Sequence, residues 1–98
     1  MAKVIWSPSS LDDIDAIAKY ISRDSVYHAA LFIDRLFEAT ERLRQHPLSG
    51  RVIPEIGNHW CREIIYGSYR IMYRIEKNNI WITSVIHGAR NWKPPFSF

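Results

Sequence analysis

The chain has 98 residues, a mass of 11.5 kDa and a net charge of +3; 47% of it is hydrophobic and 23% charged. These values exclude disorder, collagen-like repeats and a second domain, because so short a chain buries only roughly 60–65% of the surface its unfolded form exposes. The single cysteine, Cys61, excludes an internal disulfide framework and fits a reducing cytoplasm, while no secretion signal or membrane span is expected from the apolar runs.

Lys3-Val4-Ile5-Trp6 is a short β-branched and aromatic run, so residues 1–6 predict a first strand. Ser7-Pro8 then signals a helix start, with Ser as N-cap and Pro at the first helical position. Leu11, Ile14, Ile17, Ala18 and Ile21 recur at spacings of three and four, which predicts an amphipathic helix from Pro8 to Arg23. Ser25 can cap a second helix, whose stripe runs through Ala29, Ile33, Leu36, Thr40 and Leu43. It stops near Gln45-His46, because Pro47 disfavours helix in the residue before it. Residues 8–46 therefore form a helical hairpin.

Residues 47–60 hold two Pro and two Gly and are expected to be a loop. From Cys61 the period switches to two. Residues 61–87 give three strands, Cys61–Tyr66, Tyr69–Glu76 and Ile80–Ile86, joined by two-residue loops at Gly67-Ser68 and Asn78-Asn79. Residues 88–98 are expected to be an irregular tail. The order β-α-α-β-β-β defines an α+β domain with the helices on one face of a mostly antiparallel sheet.

Those loops set a register. Tyr66 should face Tyr69, Ile64 face Ile71, and Arg62 face Tyr73, which turns the more apolar side toward the helices. The second loop should place His87 opposite Arg70 and Thr83 opposite Arg74. Glu63, Arg70, Arg74 and His87 then share an exposed face with Arg90 at its rim, unless a one-residue slip disperses them. His87 and Glu63 would serve as general base and acid for RNA cleavage, with Arg70, Arg74 and Arg90 holding phosphate. A plain solvated sheet face carries the same residue types. Charge is also uneven. Residues 1–50 hold six Lys and Arg against seven Asp and Glu, whereas residues 51–98 hold seven against three. No metal-ligand spacing, Gly-rich phosphate loop or nucleophile elbow is present, and no metal or cofactor is expected.

Trp6-Ser7-Pro8, the helix pair, Pro47-x-x-Gly50-Arg51-x-x-Pro54-Glu55, Arg62-Glu63, Tyr69-Arg70-Ile71-x-Tyr73 and His87-Gly88-Ala89-Arg90 occur in one order. Together they resemble the RelE/ParE superfamily of type II toxin–antitoxin toxins, many of which are labelled plasmid stabilization proteins. The resemblance implies a toxin neutralised by a cognate antitoxin in a hetero-oligomer. It also implies one of two targets. ParE-like members poison DNA gyrase by binding, whereas RelE-like members cut messenger RNA on the ribosome. RelE-like enzymes match this chain at Arg70 and Arg90. They usually carry lysines where it has Cys61 and Glu63, and often a tyrosine about where it has Phe96. The resemblance therefore points to the ParE side, with a RelE-like ribosome-dependent endoribonuclease as the alternative. Target contacts are expected from Arg70, Arg74, Arg90 and Trp92, and antitoxin contacts from Trp81, Trp92 and Phe96.

Overall fold

The computed structural model describes residues 2–94. Its elements are β1 (Lys3–Trp6), α1 (Pro8–Ser22), α2 (Val26–Glu41), β2 (Arg51–Val52), β3 (Cys61–Tyr66), β4 (Tyr69–Glu76) and β5 (Asn79–His87). Both helix starts follow the sequence signals. Ser7 Oγ accepts from the Ser10 N–H at 3.1 Å, and Ser25 Oγ accepts from the His28 N–H at 3.1 Å, which satisfies donors no helical turn can reach. The second helix stops sooner than expected. It passes at Arg42 into a 3₁₀ turn over Arg42–Arg44, followed by another over Pro47–Ser49.

The five strands form one sheet in the order β1-β5-β4-β3-β2. The first strand lies parallel to the last, Val4 opposite Ile80 and Trp6 opposite Ile82. The stretch expected to be loop contains β2, which pairs Arg51 with Glu63 and Val52 with Arg62. The helical hairpin covers one sheet face. Leu36, Leu43, Ile71, Tyr73, Ile80, Ile82 and Val85 form its core, each large side chain contributing about 1.5–3 kcal/mol by leaving water.

The first hairpin has the predicted register: Tyr66 pairs with Tyr69, Ile64 with Ile71 and Arg62 with Tyr73. The second does not. Its loop is Lys77-Asn78, both left-handed (φ 48° and 65°), so Glu76 pairs with Asn79; two residues at positive φ make the turn whose twist suits a hairpin. A bulge between Met72 and Tyr73 then shifts the register again. Arg74 faces Trp81 instead of Thr83, and Arg70 faces Ile86 instead of His87. His87 faces Tyr69 and so turns toward the helices. The cause lies in β5. Strict alternation from Ile80 and Ile82 would drive Ser84 into the core, whereas the extra residue at Thr83 lets Val85 enter instead.

The other sheet face is covered as well. The segment after β2 and the tail fold across it, so Ile53, Cys61, Met72 and Ile86 make a second core flanked by Ile56 and Trp92.

Candidate functional site

The register and the second core together relocate the expected patch. Glu63 and Arg70 lie on the face away from the helices, as predicted, but beneath the covering segment. Glu63 is 1% exposed and Arg70 7%. Their charges are paired. Arg70 Nε donates to Glu63 Oε1 at 2.7 Å, and its Nη1 and Nη2 donate to the two oxygens of Glu55, each at 2.7 Å. The other Glu63 oxygen accepts from Arg51 Nε at 2.6 Å. The Trp92 ring lies 6.0 Å from the Arg70 guanidinium.

This chain of four charges has an order. Glu63 and Arg70 face each other diagonally across β3 and β4. Arg51 reaches Glu63 from β2, and Glu55 closes over Arg70 from the segment that β2 leads into. The fork of Arg70 matches a carboxylate in two parallel bonds, the strong form of this contact. Hydrogen bonding to Arg70 pulls the Glu55 carboxyl down to about 2. Glu55, then Glu63, hold the Arg70 guanidinium above its ordinary value against the opposing effect of burial. Burial raises the Cys61 thiol, with Arg74 opposing, so the thiolate needed for nucleophilic work is disfavoured.

Two further expected residues stand elsewhere. His87 and Arg90 line an open groove of about 470 Å³ on the helix side, with Asp13, Tyr20 and Tyr69. His87 Nδ1 accepts from the Ala89 N–H at 3.1 Å, and the Arg90 N–H donates to the His87 carbonyl at 3.0 Å. Burial raises the Asp13 carboxyl, whose oxygen accepts from the Val85 N–H at 2.9 Å. Arg74 is exposed and pairs with Glu76 at 3.0 Å. Trp92 is half-buried and lines a groove of about 230 Å³ with Ile53, Cys61, Met72, Arg74 and Thr83. Trp81 is also half-buried. Phe96 lies outside the described residues.

The grouping of Glu63, Arg70, Arg74 and His87 with Arg90 at the rim is therefore corrected. Arg70 joins Glu63, His87 joins Arg90, and the sheet stands between the two pairs. The strand and helix patterns of the sequence do not single out Glu55, the residue that occupies the Arg70 fork, or Arg51, which binds Glu63. The Pro47-to-Glu55 pattern carried both residues, but nothing in strand periodicity shows that this segment folds back over the sheet. Among the described residues no three His, Cys, Asp or Glu side chains gather as a metal site would require.

The helical hairpin on a five-stranded sheet is the frame, and the chain is a small toxin of the type II toxin–antitoxin class by its match to known proteins. Comparison with known proteins gives the family. A family model described as "ParE toxin of type II toxin-antitoxin system, parDE" matches residues 4–92, and the chain belongs to that family. It is 31% identical over 91 residues to the toxin RelE2 of Caulobacter vibrioides, covering 92% of this chain and 99% of that one. Its fold matches a chain of the solved "Chromosomal ParDE TA system from P. aeruginosa" with a TM-score of 0.72 and 19% identity, over 89% of this chain and 96% of that one. Membership implies an antitoxin partner. No helix among the described residues is long and apolar enough to cross a membrane.

Proposed function

We propose that this toxin acts by binding DNA gyrase, in the ParE manner, and is held inactive in a hetero-oligomer with its antitoxin. The observation that carries this choice is the state of Arg70. A phosphate-handling arginine must offer its fork to substrate, yet here both terminal nitrogens are taken by Glu55. A carboxylate tethered on a short loop competes at an effective concentration on the order of millimolar or above. The imidazole and guanidinium that could work with it, His87 and Arg90, face the opposite side of the sheet. A general base, a general acid and a cation must meet within hydrogen-bond reach of one phosphodiester, and this arrangement favours binding over RNA cleavage.

Arg74 and Arg90, both exposed, are the cations we assign to target contact, with Trp92 beside Arg74 as an apolar anchor. Purified toxin added to a gyrase supercoiling assay and to a translating ribosome with labelled message tests the choice. Stabilised gyrase–DNA cleavage is expected. Cuts at codon edges in the message, with gyrase untouched, would overturn it in favour of the RelE-like activity.

A further inference from the structure

The loop-covered face of the sheet is not filled completely. Ile53, Cys61, Met72 and Trp92 line a groove of about 230 Å³ between the covering segment, the strands and the tail. The bulge in β5 shapes its remaining wall. The extra residue brings both Thr83 and Ser84 to the lining, and re-aiming a side chain is a common use of a bulge. Thr83 Oγ1 is occupied, donating to the Met72 carbonyl at 3.3 Å. Ser84 pairs directly with the buried Met72, and its hydroxyl makes no hydrogen bond among the described residues.

The charge in the lining has one sign. Burial raises the Cys61 thiol and keeps it neutral, and the Tyr73 hydroxyl is taken by Gly50 and Pro47. Arg74 is the one formal charge, and no carboxylate lines the groove among the described residues. Its Nε lies 3.0 Å from Glu76, while its two terminal nitrogens donate no hydrogen bond among the described residues. Size narrows the occupant further. Sites for drug-sized ligands enclose roughly 300–1,000 Å³, and an apolar cavity of about 150 Å³ holds one benzene ring. The groove lies between the two, so it suits a body of one or two rings and is too small for a nucleotide.

We propose that this groove is a binding site for a small aromatic carboxylic acid. The ring lies among Ile53, Met72 and Trp92, where leaving water favours it. The carboxylate meets the terminal nitrogens of Arg74 in a charge-assisted pair, and the Ser84 hydroxyl supplies a further donor. A neutral ring fills the same space but leaves Arg74 to water, and an amine meets it with like charge, so the groove selects the acid. This binding does not depend on whether the toxin acts on gyrase.

Methionine supplies the reporter. The chain has two, and Met72 lines the groove, so an isotope-labelled methionine methyl spectrum carries one signal from the site, which Met72→Leu assigns. Indoleacetate is the probe. Titrated into the toxin, it should shift the Met72 signal saturably, with a dissociation constant on the order of 1 mM or tighter. Indoleacetamide, of the same shape without the charge, should bind about tenfold more weakly. Arg74→Gln should erase that difference and still fold, because Arg74 is exposed. A Met72 signal that indoleacetate leaves unmoved up to about 10 mM would overturn the proposal. So would acid and amide that bind alike, or Arg74→Gln that keeps the full preference for the acid.

Discussion

The two faces of the sheet put the same chemistry to different use. On the loop-covered face, Arg70 is buried, clamped by two carboxylates and overlaid by Trp92. On the helix side, Arg90 is exposed at the mouth of an open groove beside His87. A guanidinium that has lost its water and gained two fixed partners serves the fold, because releasing it leaves charges in a dry place. One that keeps its water can leave it for a partner at small expense. The sequence motif around each arginine does not distinguish the two conditions, since burial is conferred by a distant segment.

The largest expected effect separates the two arginines directly. Arg70→Ala leaves Glu63, whose side chain has no exposed surface, with only the largely exposed Arg51 as cation and frees Glu55 of its partner, and should destabilise the protein by about 3–5 kcal/mol in urea titrations. Arg90→Ala should stay within about 0.5 kcal/mol of the parent and yet lower toxicity in cells. Equal, small stability losses at both positions would mean that the buried network holds nothing together. The second effect tests how the covering segment is seated. A Cβ on Gly50 would lie 2.6 Å from both the Glu63 carbonyl oxygen and Tyr73 Oη. That hydroxyl accepts from the Gly50 N–H at 3.0 Å and donates to the Pro47 carbonyl at 2.6 Å. Gly50→Ala should therefore cost about 1–3 kcal/mol by overpacking, and an unchanged melting curve would show that the segment can lift away freely.

What could be read from the residues follows the range of the interactions. Helix caps, helical stripes and the Gly67-Ser68 turn are local, and the first hairpin formed in the expected register. The β4–β5 register failed for two local reasons that compounded. Lys77 is an unusual residue for a left-handed turn position, so Asn78-Asn79 looked the better loop. The bulge at Thr83 was signalled only by Ser84, a polar residue at the place where alternation from Ile80 and Ile82 demands an apolar one. A shift of two residues keeps every side chain on its face, whereas the single extra residue of the bulge reverses them. That reversal alone carries His87 away from Arg70. Ion pairing across the network joins Arg51, Glu55, Glu63 and Arg70 from separate segments, and its geometry exists only once the chain has closed.

Acid tests the clamp more gently. The Glu55 carboxyl titrates at about 2 in the folded protein against an ordinary value of 4.5. Its contribution is thus complete above about pH 4.5 and disappears as the pH falls toward 2. Because its side chain is 31% exposed, the loss should be only about 1 kcal/mol after allowance for solvent screening. Glu55→Gln should remove that part of the acid slope. A slope identical in parent and variant would assign acid sensitivity to other groups.

Arg51 should give the smallest effect, although it binds the same carboxylate as Arg70. Both contacts are short, 2.6 Å from Arg51 and 2.7 Å from Arg70. Distance therefore predicts equal importance, and exposure predicts otherwise. The Arg51 side chain is 59% exposed and that of Arg70 is 9% exposed. Removing Arg51 leaves Glu63 still bound to Arg70, and the cation lost was already half in water. Arg51→Ala should cost about 0–1 kcal/mol in the same urea titrations. A loss as large as that of Arg70→Ala would mean that Glu63 needs both cations at once, and that the network acts as one unit instead of a buried pair with an exposed attachment.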